Sequence, residues 1–389
     1  MSTQAKPFRL SQGNTVDKQE PTCALLLNRI KMAVVSVVLT LGSMLCFATG
    51  VSAQHYQQTD LVSDVPGLAA RTDSHLVNPW GLARGQSPTA PWWVADNGTG
   101  VSTLYSGSGQ INPLVVTIPP PPGGTPPSTP TGIVFNGSSD FQVAPNLPAR
   151  FIFVTQDGTV SGWNPTANPT NAIIKVNHSG SAIYTGATIG QRAGANLLYV
   201  ANFFGGSVDV FDTNFAPVNL GAGAFRDPDI PEGFAPFNVQ NINGTIYVAF
   251  AKQSEDREDE VAGPGLGFVD AFDSNGTLLM SLRSGRWMNA PWGLALAPAD
   301  FGKLSNRVLV GQFGSGEIAT FDPENGNFHG LMRGLHGQPL TIEGLWGLAF
   351  GNVSATGPTN VLFFAAGIDD EEHGLFGTIT PVDQGANKD

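Results

Sequence analysis

The chain has 389 residues, with 48 Gly, 29 Pro, only 13% charged residues and a formal net charge of −12. Glycine and proline at this level exclude a helical bundle or coiled coil, because both break helix interiors, and 41% hydrophobic residues, including 24 Phe and 7 Trp, exclude a disordered chain. The acidic balance repels phosphate backbones and argues against nucleic acid as a partner, which leaves an all-β protein with many tight turns.

Residues 1–53 read as an export address. Lys6, Arg9, Lys18, Arg29 and Lys31 lie in a polar leader, and an apolar run follows from Met32 to Phe47. Val51-Ser52-Ala53 then suits a small-residue cleavage site before Gln54. The run is short for a membrane span, which needs about 20 residues. The remaining chain, 54–389, is expected to be exported and released with no membrane span. Cys23 and Cys46 both fall in the leader, so packing and sheet closure must replace disulfides. Removing the leader takes away five of 19 basic and two of 31 acidic residues. That leaves 14 against 29, a net charge of −15.

Tyr56–Val65 belongs to no repeat, and six repeats follow it. Asn78-Pro-Trp-Gly-Leu-Ala83, Ala290-Pro-Trp-Gly-Leu-Ala295 and Gly344-Leu-Trp-Gly-Leu-Ala349 share one cadence. Trp80, Trp292 and Trp346 are separated by 212 and 54 residues, a period near 53. Degraded copies stand at Pro130–Val134, Tyr184–Thr188 and Ala235–Val239. Each copy is followed by a second apolar run, such as Trp92–Ala95 or Ile246–Ala249. A third run follows, such as Val208–Phe211 or Phe268–Phe272, and in most units a fourth. Short strands in this repeating set predict a six-bladed β-propeller. The sixth unit ends at Thr380 without a fourth strand, so Gln57–Val62 is expected to supply it and close the ring. A closed ring of this kind is expected to be a monomer. Glycine after tryptophan suits a crowded innermost strand, and the Trp rings are expected to fill the wedges between blades.

In a propeller, the loop before the first strand and the loop between the second and third strands open on one face. Here the first set offers His75, Asn78, Asn289 and Glu343. The second offers Asp96, Asn97, Gln156, Asp157, Asn202 and Gln312. Asn and Asp also serve simply as turn residues. Blade 4 inserts residues 252–265 between its second and third strands, bearing Glu255, Asp256, Glu258, Asp259 and Glu260. Blade 6 carries Asp369, Asp370, Glu371 and Glu372 at the equivalent place. These two loops either stay solvated or face each other and take up a hard cation such as Ca²⁺. Asp369-x-Glu371-x-His373-Gly374 echoes the start of an EF-hand loop, but the twelfth position is Thr380, so that motif is rejected. Asp369 and Glu371 are the metal candidates on the rim. Ligand-face candidates are Asp96, Asn97, Asp157, Gln312, Asp256 and Glu258.

The cadence Pro-x-Gly-Leu/Ile-Ala, Tyr-Val-Ala-Asp/Asn and Gly-x-Val-x-x-Phe-Asp resembles NHL-type six-bladed propellers. Gluconolactonase-like and strictosidine-synthase-like enzymes share that broad architecture. The chain is also similar to a family of uncharacterised exported bacterial proteins with Asn-Pro-Trp-Gly-Leu and Gly-Leu-Phe-Gly motifs, here residues 78–82 and 374–377. The resemblance implies a propeller, and metal-dependent lactonases of that architecture bind Ca²⁺ in the axial channel through Glu, Asn and Asp; Glu343, Asn78, Asn202 and Asn289 are the residues of those types that the resemblance offers as metal candidates here. Two functions follow. One is a binding or interaction module for a protein, glycan or small molecule. The other is a Ca²⁺-dependent lactonase or esterase with its site in the axial channel. No Gly-x-Ser-x-Gly elbow, phosphate loop or His-Glu-x-x-His is present, and catalysis stays open. N-terminal sequencing of the chain recovered outside a producing cell should begin at Gln54; a start within residues 1–53 would overturn the assigned cleavage site.

Overall fold

The computed structural model describes residues 55–352 and 355–382. The leader assigned to residues 1–53 lies outside them. Six sheets carry the six repeats. In blade 1, Pro79–Arg84, Trp92–Asp96, Val101–Tyr105 and Val116–Thr117 pair in sequence order. Blade 2 is Pro130–Phe135, Phe151–Thr155, Thr159–Trp163 and Ile173–Asn177. Blade 3 is Tyr184–Arg192, Ala195–Asn202 and Ser207–Phe211. Blade 4 is Phe234–Ile242, Thr245–Lys252, Gly267–Phe272 and Leu278–Ser281. Blade 5 is Pro291–Leu296, Val308–Gln312, Ile318–Phe321 and Phe328–Leu331.

Blade 6 joins the two ends of the propeller. Leu345–Phe350, Leu362–Ile368 and His373–Val382 come from the last repeat, and His55–Ser63 pairs antiparallel against His373–Val382. Gln57 faces Thr380 and Val62 faces Phe376, so the expected closing strand is present. Arg71–Thr72 adds a short parallel strand outside it. Blade 3 departs from the expected pattern of four. Pro217 has no N–H to donate, and Gly221 at φ 98° turns the chain away before a fourth strand forms.

The innermost strands approach each other closely. A Cβ on Gly81 would lie 2.6 Å from the Thr131 carbonyl oxygen of blade 2. On Gly293 it would lie 2.5 Å from the Trp346 carbonyl, and on Gly347 2.5 Å from the Trp80 carbonyl. Gly132 and Gly186 are crowded in the same way by blades 3 and 4. Blade 4 has Asn238 at this place, and its Nδ2 donates to the Trp292 carbonyl at 2.8 Å. Five glycines and one asparagine therefore complete a ring of inter-blade contacts. The strand-pairing register shifts at this point in every blade, as between Pro79 and Leu82 or between Pro291 and Leu294.

That bulge corrects the expected role of the tryptophans. A bulge re-aims side chains by breaking the strict alternation of a strand. Trp80, Trp292 and Trp346 consequently turn to the axis, where they cluster with Phe203 and Phe237. The residue after each glycine fills the wedge instead. Ile133 packs between blades 1 and 2, Val239 between 3 and 4, Leu294 between 4 and 5, and Leu348 between 5 and 6. Apolar core thus lies in each of the six wedges and at the axis. Gly293→Ala should lower unfolding free energy by about 1–3 kcal/mol through overpacking against a backbone carbonyl. Gly223→Ala, with open space around its Cα, should stay within roughly 0.5 kcal/mol in the same urea titration.

Candidate functional site: the axial mouth and its acidic loops

The inner strands of the three Trp blades are entered through a left-handed residue: Asn78 at φ 45°, Ala290 at φ 48° and Gly344 at φ 60°. Just inside lies the aromatic plug. Trp80 stacks on Trp346 with centroids 3.5 Å apart, and Trp292 meets both edge-on at 5.9 Å. Phe313 stacks on the other side of Trp346 at 3.9 Å, and Phe237 meets Trp346 edge-on at 5.8 Å. The Trp292 indole N–H reaches across the axis to the Thr185 carbonyl of blade 3, at 3.0 Å. Aromatic side chains therefore occupy the axis where the channel was expected.

Asn78 couples this plug to the rim. Its Oδ1 accepts from the Trp346 indole N–H at 3.0 Å, and its Nδ2 donates to Glu371 at 2.6 Å. Glu371 closes a turn in which Asp369, Asp370 and Glu371 all have φ between 53° and 66°. Three consecutive non-glycine residues in the left-handed region are strained, and the turn ends with Glu371 directed at the mouth. Burial raises the Glu371 pKa; the bond from Asn78 opposes the shift, and the Asp259 and Asp370 charges reinforce it.

The blade 4 insertion is tied down. Gln253 Nε2 donates to the Phe203 carbonyl at 2.6 Å, Val261 N to the Lys252 carbonyl at 2.7 Å, and Gly263 N to Asn289 Oδ1 at 2.6 Å. Its Asp259 and Glu260 lie within electrostatic range of Glu371 in the blade 6 turn. Burial pushes the Glu260 carboxyl up to about 8, with further upward pressure from Glu371 and Asp259. Burial, with the Glu371 and Asp259 charges adding to it, thus favours the protonated form of Glu260 at neutral pH.

The other candidates take different positions. Asp96 and Gln312 are fully buried, beneath the face on which they were expected. Asp96 Oδ2 accepts from Thr103 N at 2.9 Å, and burial raises its pKa well above the carboxylate range. Gln312 Oε1 accepts from Asn289 N at 2.8 Å. Asn97 bridges to Gln156 at 2.8 Å, and Asp157 accepts from Thr129 N at 2.9 Å. Asn202 bonds Asp209 and the Gly205 N–H. Asp256 and Glu258 are exposed, and so is Glu343 at the entry to blade 6. The hydroxyl of Ser254 and the backbone N–H of Glu258 hold the Asp256 pKa below its usual value. The structure thus brings Asn78 and Glu371 together, with Glu371 in the field of Asp259 and Glu260. The amide oxygens of Asn78, Asn202 and Asn289 each accept from a protein N–H. Among the described residues, no three His, Cys, Asp or Glu side chains form a metal-holding group. Sequence reading missed Phe203 and Phe313, although Asn202-Phe203 and Gln312-Phe313 repeat the same offset after the second strand.

Beside the mouth lies a groove of about 400 Å³, lined by Gln156, Asp157, Phe204, Glu258 and Asp259 among others. The blade 4 insertion thereby reaches over blades 2 and 3.

This geometry defines a six-bladed β-propeller with an aromatic-plugged axis and an acidic mouth. The chain is 32% identical over 332 residues to the uncharacterised protein L690 of Acanthamoeba polyphaga mimivirus, covering 82% of this chain and 84% of that protein. It is 31% identical over 330 residues to the uncharacterised protein R648 of the same virus, covering 82% and 78%. The chain belongs to the family of these proteins. No family model matches it. A solved protein of unknown function from Bacteroides thetaiotaomicron aligns with a TM-score of 0.52 at 10% identity, over 85% of this chain and 76% of that one, and shows the fold alone. Among the described residues, no helix is long and apolar enough to cross a membrane.

Glu260 and Glu371 hold protons more tightly folded than unfolded, so their contribution to stability falls as pH rises. For Glu260 the fall begins near the unfolded value of 4.5 and levels off above about 8. Glu260→Gln should flatten this slope and exceed the parent chain at pH 9 by on the order of 2 kcal/mol. Urea unfolding at pH 5, 7 and 9 measures it, and parallel slopes would contradict the assignment.

Proposed function

We propose that this is an exported, NHL-like propeller of the kind seen in uncharacterised bacterial families, acting as a binding module on its loop face. The observation that carries this reading is the acidic groove beside a plugged axis. With the axis filled by tryptophan, the loop face offers a floor and a groove, and no passage through the disc. The groove combines the half-buried ring of Phe204 with the carboxylates of Asp157, Glu258 and Asp259. An aromatic face and carboxylates together suit a small ligand, or a side chain of a protein partner, that carries a cationic group.

A second reading keeps a Ca²⁺ ion and lactone or ester hydrolysis. What favours it is the gathering of Asp259, Glu260 and Glu371 within electrostatic range of one another, where a divalent cation would displace the Glu260 proton and stabilise the ionised carboxylates. On this reading the ion sits at the rim, held by Asp369 and Glu371.

Calorimetric titration with a panel of amines, cationic peptides and neutral glycans separates the readings. A cationic member should bind saturably, and Asp157→Asn with Glu258→Gln should weaken it at least tenfold with an unchanged melting temperature. Uniform failure of the cationic members, or equal binding by the double variant, would sink the proposal. Calcium at a hundred times its Kd should add about 2.7 kcal/mol of stability, lost in Glu371→Gln. A melting curve identical in calcium and in chelator would remove the second reading.

A further inference from the structure

The incomplete blade 3 leaves a gap whose shape the other five blades define. At the point where the third strand crosses the second, every other blade meets an outer neighbour. Ser102 pairs with Val116, Val160 with Val176 and Phe376 with Val62. In blades 4 and 5, the N–H of Leu282 donates to the Val269 carbonyl and that of Met332 to the Ile318 carbonyl, both at 2.9 Å. The pairing of Val208 with Ala201 matches that of Val269 with Ala249 and Ile318 with Gly311. Val208 is therefore the corresponding residue of blade 3.

The backbone of Val208 faces outward. Val218 N donates to the Val210 carbonyl, and Asp212 N to the Ala216 carbonyl. In an extended strand, alternate residues turn both backbone groups to the same side, so Val208 shares the outward direction of Val210. The chain leaves after Val218, and among the described residues no backbone group meets Val208 from outside. A groove of about 380 Å³ runs along this edge, with Val208, Leu220 and Phe225 on its walls.

Two observations describe what fits. In all five complete blades the outer neighbour is a buried apolar side chain: Val62, Val116, Val176, Leu282 and Met332 are 0–7% exposed. Arg226 lines this groove and the adjoining one of about 950 Å³, whose border is mixed in charge, with Asp227, Glu232 and Glu255 beside the cations Arg226, Lys252 and Arg257. Among the described residues none of these three forms an ion pair.

We propose that the edge strand Ser207–Phe211 takes up an extended peptide as the missing fourth strand of blade 3. An aliphatic residue of that peptide donates its N–H to the Val208 carbonyl, and a neighbouring carboxylate faces Arg226. An open edge with unpaired backbone groups is a template for strand addition. This site lies at the outer edge of the disc, away from the axial mouth, and stands independently of the loop-face reading.

The test uses the full chain and a fluorescent heptapeptide copying Thr277–Arg283, the fourth-strand region of blade 4, with Arg283→Glu. Fluorescence anisotropy should show saturable binding. Methylating the peptide nitrogen at the position of Leu282 removes the donor without touching the protein, and should weaken binding at least tenfold. Val208→Pro in the protein should weaken it similarly, and Arg226→Glu at least fivefold, with preference shifting to the unsubstituted Arg283 peptide. Absence of saturable binding, or equal binding of the methylated peptide, would overturn the proposal. So would sedimentation showing a dimer that the peptide does not dissociate, since the edge would then hold a second copy of this chain.

Discussion

The close approach of the six innermost strands governs the rest of this molecule. At the axis a side chain as small as a methyl group would reach a neighbouring carbonyl, so five blades use glycine. The sixth uses Asn238, whose amide turns the same proximity into a hydrogen bond. The register shift at this point sends the preceding residue to the axis and the following one into a wedge. One local irregularity, repeated six times, thereby helps fill both kinds of core. The axial core stacks aromatic rings, whose edge-on and offset contacts add to plain area burial.

The plug also determines what the loop face can be. Asn78 is bonded to Trp346 below and Glu371 above, so the carboxylates of the mouth rest on the aromatic core through one amide. Two acidic loops separated by a whole blade converge there. Their repulsion is moderated because Glu260 holds a proton at neutral pH. Acidity that composition alone would assign to a solvated surface is partly half-buried and neutral. Beside blade 3, where the sheet is incomplete, Arg226, Lys252 and Arg257 border a groove together with Asp227, Glu232 and Glu255.

Much of the fold was legible in the sequence. The Pro-Trp-Gly-Leu cadence, the spacing of Trp80, Trp292 and Trp346, and the unassigned strand at Gln57–Val62 give blade number and closure directly. They do so because strand length and turn chemistry are local properties, written into consecutive residues. The side-chain directions were not legible. The expectation that tryptophan fills the wedge follows from strict alternation, and a one-residue bulge defeats alternation without any mark in composition. The missing fourth strand of blade 3 was similarly hidden, since Val218 and Leu220 look like strand residues until Gly221 turns the chain.

The candidate site divides along the same line. From sequence come the residue types on the loop face and the two acidic insertions between second and third strands. Tertiary structure alone decided that Asp96 and Gln312 lie buried beneath that face, that Glu371 bonds Asn78, and that Glu260 and Asp259 reach Glu371 across the mouth. Asn78 and Glu371 are 293 positions apart in the chain. No local pattern links them, and only closure of the ring by His55–Ser63 against His373–Val382 brings blade 6 beside blade 1. The sequence by itself determined six blades, their punctuation by glycine and proline, and the sign of the loop face. Which carboxylates meet, and which keep a proton, depended on burial and distance, quantities that exist only after the strands have packed around the axis.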